Sequence, residues 1–472
     1  MRIFVRTISI ILILLFVVAL DSCKLKDDRG AKTDYESKSY LERVKESGVL
    51  RVITDYNSTS YFIYKGRPMG FHYELLQDFA SHLGVRVEVQ ISTDISSMFT
   101  SLFNNDCDLI AVDLTVTDAR SEFVDFTHPI IATRQVLVQR QLPQQRQNGV
   151  VQIVREWKDL GGKEVHVQKG SAFVCRLRQI SEEYQIDMKI IEHLDYGDED
   201  LIRMVAEGKI NYTVTDEHIA LVNRTYYRNI DIGTAICEEQ NLAWALNKNA
   251  DDLLEALNHW LVDFKNTVRF KQLYQKYFEN PRTINIVSHD YFTLRSGKIS
   301  PFDNLIKKHA QSIDWDWRLL AALIFQESQF NVDLKSWAGA YGIMQLMPET
   351  ADNYGIDTNS TVDEQIRAGV LFIKYLQKIF DFVEDKEEKQ KFVLASYNSG
   401  PGHVLDAMRL AEKFGKDKHK WTAQTDSFML KKSNPKYYHM SEVKNGYSRG
   451  IETYKFVEET IERYQHFKNA VK

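Results

Sequence analysis

Cysteine, proline and glycine are scarce in this sequence. Its 472 residues contain only 4 Cys, 8 Pro and 22 Gly. A chain so poor in proline and glycine excludes long low-complexity linkers, and the sequence shows no internal repeat or heptad array. Apart from Cys23, the cysteines are far apart and odd in number: Cys107, Cys175 and Cys237. They can form at most one bridge, so no disulfide framework is predicted.

The charge balance excludes another class of protein. The 60 basic and 65 acidic side chains give a formal net charge of −5, so binding to nucleic acid is not expected. Hydrophobic (44%) and charged (26%) residues occur in the proportions of a globular chain, and the length predicts roughly two to four domains. The aromatic fraction of 12% has two interpretations, filled cores, which are more common, or surfaces that stack on sugar rings.

The histidines give no sign of a metal centre. The 13 His are scattered, and the sequence contains neither a His-Glu-x-x-His nor a Cys-x-x-Cys spacing. We therefore predict no metal ion and no cofactor.

The N-terminus has the pattern of an export signal. Arg2 and Arg6 precede an apolar run at residues 8–20. This run is thirteen residues long, whereas a helix that crosses a membrane needs about 20. We interpret it as the apolar part of a signal peptide.

The end of this run contains a candidate lipidation site. The residues Leu-Asp-Ser-Cys at 20–23 resemble a bacterial lipobox, although Asp21 is unusual there. The resemblance implies a lipoprotein signal peptide at 1–22, a lipid-anchored Cys23 and a polar tether at 23–40, on the periplasmic side of the outer membrane. An ordinary secretory signal is the alternative, but no Ala-x-Ala-like site follows the apolar run.

Alternating strand and helix patterns begin at residue 49. Predicted strands at 49–53, 85–91 and 108–112 are separated by predicted helices at 73–83 and 97–103. Such alternation predicts an α/β domain with parallel strands. Ligands of such folds bind at the carboxyl ends of the strands.

Three segments of this region carry a family pattern, at residues 48–52, 70–75 and 108–129. Together they resemble the family 3 solute-binding proteins, the periplasmic amino-acid receptors of import systems. The resemblance implies a two-lobed α/β module at 41–282, with lobe two at about 138–235. It also implies two chain crossings between the lobes, near residues 136–138 and 235–241.

The same resemblance implies a ligand site for an amino acid or a muropeptide. Arg120 would pair with a ligand carboxylate, Ser171 would complete that carboxylate site, and Asp216 would bind the ammonium group. Two alternatives stay open from the residues alone. Arg120 could form a surface ion pair with Glu122 or Asp125, and Asp216 could cap the helix that follows it.

A candidate catalytic acid lies near the end of a later helix. The pattern predicts a helix at 317–328 with Asp314 or Asp316 as its N-cap. Four of its positions fall at i, i+3, i+4 and i+7, namely Leu320, Leu323, Ile324 and Glu327. This spacing puts Glu327 on the apolar face, where loss of water raises the pKa of its carboxyl and keeps it protonated for general-acid work. The alternative is a glutamate that reaches solvent from a helix end.

Two glycine-containing segments follow this helix. Residues 339–351 combine two glycines with an apolar run that contains one amide, the composition of a cleft wall. Residues 395–402 place a phenol and an amide just before a sharp turn. Alone, each segment could be an ordinary core or turn element.

In combination with Glu327, these segments resemble the family 1 lytic transglycosylases, whose Slt-type domain is related in fold to goose-type lysozyme. The resemblance implies a mainly α, lysozyme-like domain at 295–472 in which Glu327 is the catalytic acid and base. Substrate-binding residues implied by it are Ser328, Ser336, Met344, Gln345, Tyr397, Asn398 and Glu452. Ser336 and Gln345 would bind the N-acetyl and sugar groups, and Tyr397 would donate a hydrogen bond to the catalytic carboxyl. The sequence departs from the pattern at Phe456 and Ser399, where many members have Tyr and Ala.

The number of acids in these motifs bears on the reaction. Most glycosidases use two carboxyl groups, but only Glu327 is placed here by a motif, while Asp333, Glu349 and Asp352 are merely near in sequence. With one carboxyl, the 2-acetamido group of the substrate must assist, as the family does when it cleaves the MurNAc-β-1,4-GlcNAc bond and leaves a 1,6-anhydro-MurNAc end. The expected partners are peptidoglycan strands and, through the lipid anchor, a membrane. A hydrolytic muramidase and a non-catalytic glycan or peptide receptor are the alternatives.

Overall fold

Two β-sheets and a helical body make up the computed structural model, which describes residues 38–141, 153–279 and 293–471. The predicted signal peptide, Cys23 and the tether up to residue 37 lie outside the described residues. Within these ranges, no helix combines the length and the hydropathy that crossing a membrane requires. Cys107, Cys175 and Cys237 are free thiols.

The region before residue 280 contains both sheets. In chain order its elements are α1 (Tyr40–Ser47), β1 (Val49–Thr54), β2 (Phe62–Tyr64), β3 (Arg67–Met69), α2 (Phe71–Leu83), β4 (Arg86–Ile91), α3 (Ile95–Phe103), β5 (Leu109–Thr115), α4 (Asp118–Ser121), β6 (Val124–Phe126), β7 (Ile131–Thr133), β8 (Gln135–Arg140), β9 (Glu164–Gln168), α5 (Ala172–Tyr184), β10 (Lys189–His193), α6 (Asp198–Glu207), β11 (Tyr212–Asp216), α7 (Glu217–Arg224), β12 (Ile230–Ala235), β13 (Gln240–Asn247), α8 (Asp251–Lys265) and α9 (Val268–Tyr274). The predicted strands and helices of the first 112 residues agree with these bounds to within three residues.

The two sheets form two lobes. The first has the strand order β4-β1-β5-β13-β6, with β7 also paired to β13, and the second has the order β10-β9-β11-β8-β12. Strands β4, β1 and β5 are parallel, as predicted, but β13 runs antiparallel to β5 because the chain re-enters the first sheet from the second lobe. The first crossing falls at Arg134, between β7 and β8, so residues 136–138 lie inside β8 rather than at the crossing.

The region after residue 292 is helical. Its elements are α10 (Thr293–Ser296), α11 (Asp303–Ala310), α12 (Trp317–Ser328), α13 (Pro348–Asn353), α14 (Val362–Ile379), α15 (Lys386–Ser399), α16 (Pro401–Lys413), α17 (Asp426–Lys431), α18 (Pro435–Tyr438) and α19 (Gly450–Ala470). Helix α12 is the central element and packs mainly against α19. This fold class, a two-lobed α/β module followed by a mainly α body, is the predicted one.

Lobe one and the helical body share one hydrophobic core. A single cluster of buried side chains includes Leu50, Phe79 and Trp244 of lobe one together with Leu320 and Val457 of the helical body. Lobe two has separate cores on the two faces of its sheet. Lobe one and the helical body are therefore expected to unfold together.

The hairpin of β2 and β3 is one part of this shared boundary. Gly66 at its turn lies against the ring of Phe325 in α12, and its carbonyl oxygen accepts a hydrogen bond of 3.1 Å from Arg463 Nη1 in α19. The Arg463 guanidinium lies 4.0 Å from the centroid of the Phe325 ring. Nearby, Arg67 Nη2 donates to Gln329 Oε1 at 2.5 Å. The turn thus contacts α12 close to its C-terminal end.

Replacing Gly66 with alanine tests this packing, and Gly84 offers a matched control. Both glycines have φ of +74°, but a Cβ at Gly66 would lie 2.5 Å from Phe325 Cδ2, whereas a Cβ at Gly84 meets nothing within 4 Å. We expect Gly66→Ala to lower the free energy of unfolding by about 1–3 kcal/mol more than Gly84→Ala, because the strain in φ is common to both variants. Urea unfolding followed by circular dichroism measures the difference. Equal losses in the two variants would contradict the packing.

Candidate active site

Helix α12 positions Glu327. Asp316 caps its N-terminus by accepting a hydrogen bond of 2.9 Å from the Arg318 backbone N–H. The side chains of residues 319–325 are buried, so the helix is enclosed along most of its length. Glu327 lies in the last turn and is half-buried, and Gln329, which follows the last helical residue, has a left-handed conformation with φ of 52°.

The carboxyl of Glu327 lacks a partner. In the ranges that the structure describes, it forms no hydrogen bond or ion pair. Burial raises its pKa to about 8, the direction that its place on the apolar face predicts. The carboxyl is therefore mainly protonated at neutral pH, the form that can donate a proton.

Ser328 fastens the next loop to the helix. Its side chain is 3% exposed, and its Oγ donates towards the carbonyl oxygens of Ile343 at 2.8 Å and Ile324 at 3.1 Å. The family resemblance implies a substrate-binding role for Ser328, but its hydroxyl is bonded to backbone carbonyl oxygens. One residue beyond Glu327, the side chain turns by about 100° around the helix and points into the core.

Gln345 keeps one polar atom available. It has a left-handed backbone with φ of 48°. Its Nε2 donates to the carbonyl oxygens of Leu334 at 2.9 Å and Gly342 at 2.8 Å, which uses both hydrogens of the amide. Among the described residues Oε1 accepts no hydrogen bond, so it is an acceptor for a ligand hydroxyl or amide.

Tyr397 and Met344 hold the loop that contains Gln345 against the core. The Tyr397 hydroxyl donates to the Met344 carbonyl oxygen at 2.8 Å, so the expected hydrogen bond from Tyr397 to Glu327 is absent from this structure. Burial, and next the charge of Glu327, raise the pKa of Tyr397 well above its ordinary value, as expected for two neighbouring groups. The Met344 side chain is buried against Gly369 and does not line an open cleft.

The other predicted residues lie nearer to solvent. Ser336 is half-buried, and its Oγ accepts a hydrogen bond of 3.0 Å from the Ala340 backbone. Asn398 is exposed, and its Oδ1 accepts from Thr453 Oγ1 at 2.9 Å, which leaves the amide nitrogen to donate. Glu452 is exposed and forms an ion pair of 3.1 Å with Arg449.

A second candidate site lies between the lobes. Arg120 lines this cavity, and its guanidinium donates to the carbonyl oxygens of Thr115 at 3.0 Å and Gly170 at 3.1 Å. It is therefore not engaged in the surface ion pair that was the alternative. Asp216 also lines the cavity, and its carboxyl does not cap α7.

Ser171 lines the same cavity. It precedes α5, is buried, and donates from Oγ to the Gln168 carbonyl oxygen at 2.7 Å. The hydroxyl oxygen can still accept, but its hydrogen is used within lobe two.

Sequence reasoning missed a buried contact that joins the lobes. The carboxyl of Asp113 in β5 accepts from His72 Nε2 at 2.8 Å and from His218 Nε2 of lobe two at 3.1 Å. Burial opposes the charge, but the two imidazoles outweigh it and hold the pKa of Asp113 far below its usual range. The feature of the sequence that could have indicated this contact is an acid inside a mainly apolar strand. Asp55 and Asp198, which also line the cavity, were missed too.

Comparisons with known protein families match both regions. Residues 50–280 match the bacterial extracellular solute-binding proteins, family 3, and residues 304–420 match the transglycosylase SLT domain. The chain is 34% identical to a membrane-bound lytic murein transglycosylase F of Desulfosudis oleivorans, over 92% of this chain and 93% of the relative. A protein of the same name from Photobacterium profundum is 32% identical over 96% of this chain and 84% of its own length.

The chain belongs to the membrane-bound lytic murein transglycosylase F family. Membership confirms the predicted enzyme class, a lytic murein transglycosylase and hence a lyase, with a family 3 solute-binding module before its SLT domain.

Solved structures similar to this chain cover its first half. A mutant of ArgBP from T. maritima is 23% identical with a TM-score of 0.44, over 51% of this chain and 100% of that one. The amino acid ABC transporter substrate-binding protein AbpA from Streptococcus pneumoniae is 19% identical, also with a TM-score of 0.44, over 52% and 99% of the two chains.

The pKa of Glu327 predicts how the transglycosylase responds to pH. A general acid acts in its protonated form, so with Glu327 in the role that the sequence predicts, kcat/KM on murein glycan is expected to fall by about tenfold per pH unit above about pH 8. Release of soluble glycan between pH 6 and 10 measures this, with circular dichroism at each pH to exclude unfolding. A decline that begins near pH 5 would show that the Glu327 carboxyl is ionised at neutral pH and would contradict the assignment.

Proposed function

We propose that Glu327 is the single acid and base of this transglycosylase, which cleaves the MurNAc-β-1,4-GlcNAc bond and leaves a 1,6-anhydro-MurNAc end. The observation that carries the proposal is a half-buried carboxyl with a pKa of about 8 and no partner among the described residues. An acid in this state supplies a proton at neutral pH without a neighbouring base.

A second catalytic carboxyl has little support. Asp333, Glu349 and Asp352, which follow Glu327 in sequence, are all exposed to solvent. Glu349 lies in the first turn of α13, where a carboxylate is stabilised by the helix dipole. A mechanism with one protein carboxyl therefore fits better than a pair of acids.

The proton of Glu327 moves twice in this mechanism. The carboxyl first donates its proton to the glycosidic oxygen, and the bond from that oxygen to the anomeric carbon breaks. The 2-acetamido oxygen of the substrate stabilises the positive carbon. The Glu327 carboxylate then takes the proton of the MurNAc 6-hydroxyl, whose oxygen bonds to the anomeric carbon and closes the anhydro ring. Glu327 is protonated again, and no water is consumed.

Residues of the predicted substrate site divide into two groups. We propose that Gln345, through Oε1, and Asn398, through its amide nitrogen, contact the sugars, with Ser336 and Glu452 at the rim of the cleft. Ser328, Met344 and Tyr397 are positioning residues, because their polar atoms or side chains hold the loop of residues 334–346 against α12 and α15.

Replacing Glu327 with glutamine tests the catalytic assignment. Because glutamine cannot donate the required proton, turnover of murein is expected to fall by about 10²–10⁴-fold. Glu349→Gln makes the same chemical change at an exposed position and should leave turnover unchanged. Mass spectrometry of the wild-type products should show 1,6-anhydro-MurNAc ends, whereas reducing ends would identify a hydrolytic muramidase. Turnover retained in Glu327→Gln would instead favour a protein that only holds glycan.

The module is proposed to bind an amino acid or a muropeptide. Arg120, Ser171 and Asp216 converge on the cavity between the lobes, with one strong cation and one free carboxyl. These are the groups that a ligand with a carboxylate and an ammonium group requires. We place the module at 41–282 and the catalytic domain at 295–472, as the sequence predicts.

The chain is further proposed to be membrane-bound, as the names of its relatives say of those proteins. A lipid on Cys23, after removal of residues 1–22, would hold it on the periplasmic side of the outer membrane. Support for this anchor comes from the lipobox-like sequence at 20–23.

A further inference from the structure

The cavity between the lobes contains more acids than its one arginine can balance. Its lining includes four aspartates, Asp55, Asp113, Asp198 and Asp216, and a single arginine, Arg120. Arg120 donates to two backbone carbonyl oxygens, so none of the four carboxyls holds its guanidinium in a direct ion pair.

One of the four acids is already neutralised within the protein. Asp113 accepts hydrogen bonds from His72 and His218, at 2.8 and 3.1 Å. Trp244 Nε1 donates to His72 Nδ1 at 2.9 Å, which fixes the proton of that imidazole on Nε2, facing Asp113. Asp113 is therefore a structural acid and is not available to a ligand.

The other three carboxyls have unused oxygens. Asp216 is only 3% exposed, and its carboxyl has no hydrogen-bond partner in the described part of the chain. Asp198 Oδ2 accepts from Thr215 Oγ1 at 2.9 Å, but Asp198 Oδ1 is buried without a partner. Asp55 accepts a hydrogen bond of 3.1 Å from the Asn57 side chain and another from the Tyr56 backbone, and no cation pairs with it in the described residues. A buried carboxyl without a partner is unfavourable unless a ligand supplies the missing donor.

These three acids are also electrostatic neighbours in the order Asp216, Asp198 and Asp55, and we call them the acid row. Asp216 interacts electrostatically with His218 and Arg120, which favour its charged form, and with Asp198, and Asp198 interacts with Asp55. Burial, together with neighbouring acids, raises the pKa of Asp55 and Asp198 to about 7 and that of Asp216 to about 8. Beyond the row, Glu199 is bonded to Ser58 and Asn223, and Asp200 is paired with Arg203. None of the groups that act on Asp55 and Asp198 in this way is a cation, so positive charge is lacking at that end of the row, and a cationic ligand would supply it.

We propose that this cavity selects an α-amino acid whose side chain carries a second cation, an ammonium or guanidinium group. Arg120 faces the carboxylate, Asp216 binds the α-ammonium, and Asp55 with Asp198 binds the second cation. The inference rests on the proposal that the module binds an amino-acid-like ligand, and it adds the charge that the ligand must carry. Because Asp55 belongs to lobe one and Asp198 to lobe two, the second cation would join the lobes.

Calorimetry on the full-length protein tests this selectivity. L-lysine and L-arginine carry the second cation, whereas L-norleucine has the length of lysine without it. At least one of the two cationic amino acids is expected to bind at least tenfold more tightly than norleucine. If norleucine, lysine and arginine all bind with equal dissociation constants, the inference is overturned, whereas the proposal that the cavity binds an amino acid still holds. No binding of any of the three would overturn the inference and the proposed ligand class together.

A variant series separates the second-cation site from the rest of the cavity. Asp198→Asn keeps the shape of the side chain and should bring the affinities for lysine and arginine to within about threefold of norleucine. Asp195→Asn, at an exposed position of the same lobe, should keep the wild-type ratio. Thermal unfolding of both variants controls for misfolding. Unchanged selectivity in a folded Asp198→Asn protein would contradict the assignment.

The number of protons released when a ligand binds depends on the charge of the ligand rather than on its shape. Acids that hold protons near pH 7 in the free cavity must lose them when they bind a cation, so lysine should release more protons than norleucine. The dependence of the binding enthalpy on the ionisation enthalpy of the buffer measures this release. L-alanyl-L-lysine, in which the lysine α-amino group is in a peptide bond, shows whether the natural ligand is a peptide or a free amino acid. Tighter binding than free lysine identifies a peptide, and weaker binding identifies a free amino acid. Equal release from lysine and norleucine would overturn the role of Asp55 and Asp198.

Discussion

The burial of helix α12 is the constraint on which the proposed catalytic site depends. Side chains at 319–325 are enclosed by the surrounding helices, so the helix cannot rotate without opening the core. This fixes the position of Glu327, which is half-buried and which, among the described residues, forms no hydrogen bond that would lower the pKa of its carboxyl. The wall of the cleft is attached to helix α12 as well, because Ser328 at the end of this helix donates a hydrogen bond to the Ile343 carbonyl oxygen. Glu327 and the cleft wall are therefore held in a fixed position relative to each other.

The same helix connects the catalytic site to the module. Phe325, two residues before Glu327, touches Gly66 of the β2–β3 hairpin and lies under the Arg463 guanidinium. Tyr61 of lobe one forms a hydrogen bond of 2.7 Å with His466 of α19, the helix that packs on α12. Because one hydrophobic core runs through this boundary, lobe one is part of the support of the catalytic helix rather than a separate attachment.

Local patterns predicted the elements well and the directions of side chains less well. The spacing of Leu320, Leu323, Ile324 and Glu327 gave the buried acid, and alternating strands and helices gave the first lobe. Family motifs named Ser328 and Tyr397, but a motif does not state which way a hydroxyl points. Both hydroxyls bond to the backbone of the wall, because a buried hydroxyl without a partner would destabilise the fold.

Only some of the residues that line the cavity between the lobes were predicted, and the reason differs from that for the hydroxyls. Arg120, Ser171 and Asp216 came from the family pattern, whereas Asp55 and Asp198 are brought together by the meeting of two lobes. The rule that ligands bind at strand ends could have drawn attention to Asp55, which directly follows β1. Nothing local indicates Asp198, because it begins a helix of the other lobe, where an acid is common anyway.

Comparison of the buried carboxyls distinguishes structural acids from functional ones. Asp406 is fully buried, yet it is paired with Lys432 at 2.7 Å and accepts from the backbone N–H groups of Lys444 and Asn445. Although burial opposes ionisation, these donors hold the pKa of Asp406 at about 2, and Asp113 is satisfied in the same way by two imidazoles. Glu327 is half-buried and Asp216 is buried, neither accepts a hydrogen bond within the described residues, and their pKa values rise to about 8. Their unsatisfied state fits the roles that we propose for them, in which the partners, a glycosidic oxygen and a ligand cation, come from outside.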